Sequence, residues 1–132
     1  MAGKLCKAVK WIMAPGALYL LAVTPRVVNR PDGGIFRHKY FAHRGLHDNS
    51  GDAPENSMAA FRRAVEAGYG IELDVQMTKD AIPVIFHDGT MERMCGVKAK
   101  IDDYTYDQLQ QFKLADSDQS IPKLEDMLAL VD

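Results

Sequence analysis

From Ile71 to Thr78 the chain alternates one for one: Ile71, Leu73, Val75 and Met77 against Glu72, Asp74, Gln76 and Thr78. A period of two puts the two sets on opposite faces of a β-strand. Ile82 to Phe86 is a nearly unbroken apolar run, as in a strand buried on both sides, although Pro83 weakens pairing at its start. Lys79-Asp80 is the turn between these two segments. Tyr40 to His43 predicts a third, shorter strand. Other stretches repeat at helical spacing. Met58, Phe61, Ala64 and Val65 mark a helix over Ser57 to Ala67, opened by an Asn56-Ser57 cap and ended by Gly68. Thr105 to Gln108 has the form of a capping box and predicts a helix running to about Lys113. Leu124, Met127, Leu128 and Val131 predict a last helix, with these four residues on one face. The order strand, helix, strand, turn, strand, helix, helix predicts an α/β fold.

Charge divides the chain in a way the pattern does not. Of its 132 residues, 1–44 carry eight Lys/Arg against one acid, Asp32, and 45–132 carry eight against seventeen Asp/Glu. The turn cluster Pro31-Asp32-Gly33-Gly34 marks the boundary, giving a basic and apolar segment over 1–30 and a body over 31–132. In the head, Lys4, Lys7 and Lys10 precede thirteen apolar residues, Trp11 to Val23. That is fewer than the ~20 a spanning helix needs, and Pro15-Gly16 interrupts them. Three readings stay open: a membrane-surface or short anchoring segment, an uncleaved signal-like segment, or a plain helix packed on the body. The expected location is membrane-associated, with the cytoplasm as the alternative. A net charge of −2 gives no reason to expect a nucleic-acid partner. Cys6 and Cys95 lack the spacing of a zinc site or a disulfide framework and read as free thiols.

The chemistry lies at the strand ends. Glu72 and Asp74, two apart on one strand, project from one face. That is either a solvated side or a pair of hard oxygen ligands suited to Ca²⁺ or Mg²⁺. His43-Arg44 follows one apolar strand and His87-Asp88 another. Taken singly, such a histidine is more often structural, but the repeated arrangement counts for more. Histidine exchanges protons near neutral pH, and the arginine fork matches phosphate oxygens. Gly45 lets the chain turn sharply and a ligand come close. A phosphodiester suits this set: one histidine deprotonates the nucleophile and the other protonates the leaving alcohol. Helical His-Asp phosphohydrolases need their pair on a helix, which the β-run before His87 argues against. His47, four residues after His43, is expected in a mobile loop rather than in a helical metal pair.

The blocks "AHRG", "APENSMAAFRRAVEAGYGIELDVQMTKD", "PVIFHD" and "IPKLEDML" resemble the signature blocks of the glycerophosphodiester phosphodiesterase family, from about Tyr40 to the C-terminus. The resemblance implies a TIM barrel and hydrolysis of glycerophosphodiesters to an alcohol and glycerol 3-phosphate. The glycerol hydroxyl would act as internal nucleophile, and water would open the resulting cyclic phosphate. It implies His43 and His87 as catalytic residues, Arg44 as the phosphate-binding residue, and Glu72 and Asp74 as metal ligands for Ca²⁺ or Mg²⁺. Glu55 and Asn56 match the segment that closes over the site and are expected to support Arg44. Ala81 stands where the family usually has glycine. The family's third acidic ligand and its phosphate-binding lysine have no counterpart here.

A TIM barrel takes ~250 residues. The expectation is therefore a partial (β/α)8 barrel, roughly its first three strands with their helices, preceded by an N-terminal apolar/basic helix. A truncated reading frame or a piece of a longer gene would explain the length, and activity at this length does not follow from the motifs alone. The alternative is a non-catalytic, membrane-associated α/β module.

Overall fold

The computed structural model describes residues 15–24 and 33–132. Residues 15–23 form a helix, α1, whose side chains are exposed, including Leu18, Tyr19, Leu20, Leu21 and Val23. Lys4, Lys7, Lys10 and Trp11 lie outside the described residues. Among the described residues no helix is long and apolar enough to cross a membrane. A 3₁₀ turn follows at Gly34–Phe36. The chain divides after Arg37, and the unit from His38 to Asp132 holds every predicted site residue.

That unit is α/β. Strand β1 (Phe41–His43) pairs in parallel with β2 (Gly70–Glu72), His43 opposite Glu72. Helix α2 (Met58–Glu66) connects them. The Ser57 hydroxyl accepts from Ala60 N at 3.1 Å, as the cap residues predict, and Ala60, Phe61 and Ala64 form the buried face. Strands β3 (Val75–Met77) and β4 (Pro83–Ile85) form a separate antiparallel pair. Three short α-helices, α3 (Glu92–Cys95), α4 (Tyr106–Leu109) and α5 (Leu124–Val131), and a 3₁₀ turn at Ile101–Asp103 complete the unit.

Strand β4 organises the packing. Val84 and Phe86 enter a core with Met91, Met94, Ile101, Leu109, Leu114 and Ile121. Ile85, pointing the other way, joins Phe61 and Met127 in a second core. A strand covered on both faces needs no polar positions, which explains the apolar run.

Several expectations change. The alternating segment is not one strand. It breaks at Leu73-Asp74, and its faces exchange across the break. Ile71 and Leu73 pack against the Phe61 core, whereas Val75 and Met77 are exposed and Thr78 is buried. The Thr78 hydroxyl bonds Asp80 and accepts from Ile82 N at 2.9 Å, so the hairpin turn itself satisfies the buried polar group. The capping box at Thr105 is present with both arms, but α4 stops at Leu109 because the chain turns back to pair Lys113 with Ser120. The four apolar positions of α5 share a face by their helical spacing, but only part of it is covered: Met127 is buried, while Leu128 and Val131 are exposed. His47 lies outside any helix.

Candidate active site

The strand ends meet through the backbone. Arg44 N donates to Glu72 O at 2.9 Å, which extends the β1–β2 ladder by one rung. Phe86 N donates to Asp74 O at 2.9 Å, which seats the end of β4 beside the break after β2. This bond gives the break a structural reason, since Asp74 leaves the β1 ladder to pair with the other sheet. His43, Arg44, Glu72, Asp74 and His87 thus come from adjoining strand ends.

The side chains extend this arrangement. His43 Nε2 stands 3.8 Å from Glu72 Oε2, which also accepts from Arg44 N at 3.2 Å. Arg44 is in the left-handed region with φ 58°, as is Asn56 with φ 56°. Two non-glycine residues in that region within one loop are costly and cluster at functional sites. They are tied together, because Asn56 N donates to Arg44 O at 2.9 Å. Arg44 Nη1 donates to Glu55 Oε1 at 2.8 Å, so Glu55 supports Arg44 as the resemblance implies. Arg44 Nε is 3.6 Å from Asp74 Oδ2, an ion pair without a hydrogen bond. Asn56 Nδ2 donates to the same oxygen at 3.1 Å. Arg44 Nε and Asn56 Oδ1 are both buried and lack a hydrogen-bond partner.

Gly45 has a different role from the one its sequence position suggests. Its φ is 83°, and a Cβ there would lie 2.8 Å from Ala60 Cβ and 3.0 Å from Phe61 Cδ1. The close approach is to helix α2, not to a ligand.

His87 reaches this group through Asp88, Glu55 and one residue that the sequence patterns do not single out, Arg93. Its Nδ1 is 2.7 Å from Asp88 Oδ1. Arg93, on α3, binds Asp88 through Nε at 2.7 Å and Nη2 at 2.9 Å, and Glu55 through Nη2 at 2.6 Å and Nη1 at 3.0 Å. Glu55 therefore sits between Arg44 and Arg93 and links the two halves of the site. The Arg93 guanidinium, followed by bonds from Asn49 and Arg44, holds the Glu55 carboxyl down to about 2 against the opposing effect of burial. Arg93 likewise lowers Asp88, with His87 contributing. Helix α3 has four residues, too few for periodicity to reveal, and that is why Arg93 escapes a reading of the sequence.

Among the described residues, two places offer metal-ligand chemistry. Glu55, His87 and Asp88 bring three ligand atoms within 4.8 Å of one another. Arg44 and Arg93 already neutralise those two carboxylates, so a dication there would meet two guanidinium charges. Glu72 and Asp74 fit a hard cation better: Glu72 is exposed, Asp74 half-buried, and the unpartnered Asn56 amide oxygen belongs to a side chain bonded to Asp74. Open clefts of about 440 Å³ beside Asp52 and Asp118, and about 520 Å³ beside Arg93 and Phe112, are lined by none of His43, Glu72, Asp74 or His87. Cys95 is half-buried, and burial pushes its thiol up to about 11, which makes it a poor nucleophile.

Residues 43–132 match the glycerophosphoryl diester phosphodiesterase family. A glycerophosphodiester phosphodiesterase of Bacillus altitudinis is 42% identical over 100 residues, covering 70% of this chain and 40% of that protein. Human glycerophosphodiester phosphodiesterase 1 is 38% identical over 97 residues, covering 67% of this chain and 28% of the human protein. The chain thus spans well under half the length of these relatives. A phosphodiesterase from Oleispira antarctica, solved in complex with the product sn-glycerol-3-phosphate, superposes with a TM-score of 0.64 at 30% identity. That match covers 74% of this chain and 41% of that one.

Proposed function

Because the chain belongs to the glycerophosphoryl diester phosphodiesterase family, we propose that it supplies the first part of an active site for hydrolysing glycerophosphodiesters to an alcohol and glycerol 3-phosphate. Residues 41–132 would be the opening strands and helices of a (β/α)8 barrel, with the site at their C-terminal ends. Arg44 binds the phosphate with its always-charged guanidinium. His43 and His87 form the acid/base pair: one takes the proton of the attacking hydroxyl, and the other gives a proton to the departing alcohol. Asp88 accepts from Nδ1 of His87, which leaves Nε2 as the nitrogen that faces the reaction. Glu72 and Asp74 would hold Ca²⁺ or Mg²⁺, which when bound neutralises charge on the phosphate oxygens.

The observation that supports this reading most is the junction of adjoining strand ends, with Glu55 contacting both Arg44 and Arg93. Release of glycerol 3-phosphate from glycerophosphocholine, followed with added Ca²⁺ or Mg²⁺ on the longest protein that contains this chain, tests it. His43→Ala is expected to lower release by about 10²-fold or more, and chelation to abolish it. Absence of release from the parent protein under both metals sinks the reading.

A second reading concerns the head. The side chains of α1 are apolar and exposed, so they gain from apolar surroundings such as the acyl region of a lipid layer, and the basic residues 4, 7 and 10 that precede it in sequence suit anionic headgroups. Deleting residues 1–30 is expected to release the protein from anionic vesicles in co-sedimentation. Unchanged binding refutes this role.

A further inference from the structure

We infer that Arg93 is a positioning residue, which holds the His87 ring and the Arg44 side chain in one fixed relation by tying Asp88 to Glu55. The inference rests on the reading of His87 as an acid/base group, but its geometry is independent of substrate. The guanidinium uses two edges. Nε and Nη2 grip both oxygens of Asp88 at 2.7 and 2.9 Å, and Nη1 and Nη2 grip both oxygens of Glu55 at 3.0 and 2.6 Å. Each carboxylate is held by a fork, so neither can rotate without breaking two bonds.

The consequence for His87 follows from Asp88. Its Oδ1 is shared between Arg93 Nη2 and His87 Nδ1. A carboxylate held by a guanidinium is an acceptor, so Nδ1 carries the hydrogen and the tautomer is set. The main chain at this point is already tied down: Gln76 Nε2 shares its two hydrogens among the carbonyls of Phe86, His87 and Asp88 at 3.0, 3.2 and 2.9 Å. Ring rotation is the freedom that Gln76 leaves, and the Arg93–Asp88 pair removes it. Stability alone does not account for the Asp88 fork: Arg93 is 47% exposed and Asp88 20%, and an ion pair so placed contributes little to folding, unlike the bond to buried Glu55. Buried Met91 and Met94 anchor α3 on both sides of the guanidinium's attachment point.

Imidazole ¹⁵N shifts at alkaline pH, read on the longest protein that contains this chain, test the tautomer without any need for turnover. The parent protein is expected to show His87 protonated at Nδ1. Arg93→Ala is expected to give a mixture of tautomers, and so is Arg93→Lys, because an ammonium offers a point charge and no fork. Millimolar guanidinium, which has access because Arg93 borders the 520 Å³ cleft, is expected to restore the parent tautomer in Arg93→Ala. In turnover, Arg93→Ala should lower kcat by about 10²-fold with KM changed less than about threefold, the loss typical of a misplaced catalytic group. An unchanged His87 tautomer in a folded Arg93→Ala or Arg93→Lys protein overturns the inference. If the parent releases no product but the tautomer shifts as stated, positioning stands and the hydrolytic reading falls.

Discussion

Replacing Glu55 by glutamine removes the one carboxylate that touches both arginines of the site. The magnitude can be worked from two directions. The Glu55 carboxyl is held at about 2 against an ordinary 4.5, with Arg93 the largest cause. That depression corresponds to roughly 3 kcal/mol of stability at neutral pH. Glu55 is 5% exposed, so solvent screens little of this directly, although the exposed Arg93 argues for the lower side. Independently, breaking a buried ion pair by removing one partner costs about 3–5 kcal/mol. Here the charge left without its partner is Arg44, whose side chain is 17% exposed.

Both routes give about 3 kcal/mol, which is expected as a urea midpoint lowered by roughly 2 M at pH 7 in far-UV circular dichroism. The sign with pH follows from the depressed carboxyl. Its contribution is complete above about pH 4.5 and is lost as pH falls through about 2. At pH 3 less than half of it remains by the same relation. The gap between the two proteins should therefore narrow by roughly 2 kcal/mol on going from pH 7 to pH 3. A loss below about 1 kcal/mol at pH 7, or a gap that acid leaves unchanged, refutes the account of Glu55 as a buried link between two guanidiniums.

Three further substitutions test local features. Gly45→Ala places a methyl 2.8 Å from Ala60 Cβ in a backbone with φ 83°. The left-handed penalty and the overpacking together should cost about 2–4 kcal/mol in denaturant titration. Ala81 has φ 61°, the conformation that suits the glycine the family usually carries. Ala81→Gly relieves about 1–2 kcal/mol of backbone strain and returns about 0.4–1 through unfolded-chain entropy, so the melting temperature should rise by a few degrees. Ser57→Ala deletes the acceptor for Ala60 N and should destabilise the protein by about 1 kcal/mol, read as an earlier melt of α2 in amide exchange.

Elements whose signals are local were legible in the sequence. Helix α2 is capped by its own Ser57, α5 carries enough apolar turns to show its period, and Thr105 and Gln108 cap each other across three residues. The split at Leu73-Asp74 was not legible, because the alternation continues through it and its cause, the bond from Phe86 N to Asp74 O, comes from another part of the chain. The exchange of faces beyond it has the same origin. The histidines, Arg44 and the paired acids stood out as chemical types at strand ends. Arg93 did not, because its importance lies in two acceptors, Glu55 thirty-eight residues away and Asp88 five away, that only the fold brings together.

The two-sided burial of β4 has a mechanical consequence. Val84 and Phe86 are keyed into one core and Ile85 into the other, so sliding the strand by a single residue would send each side chain into the compartment shaped for its neighbour. His87, directly after this strand, therefore inherits its register: the imidazole cannot be moved along the strand by one residue without emptying both compartments at once.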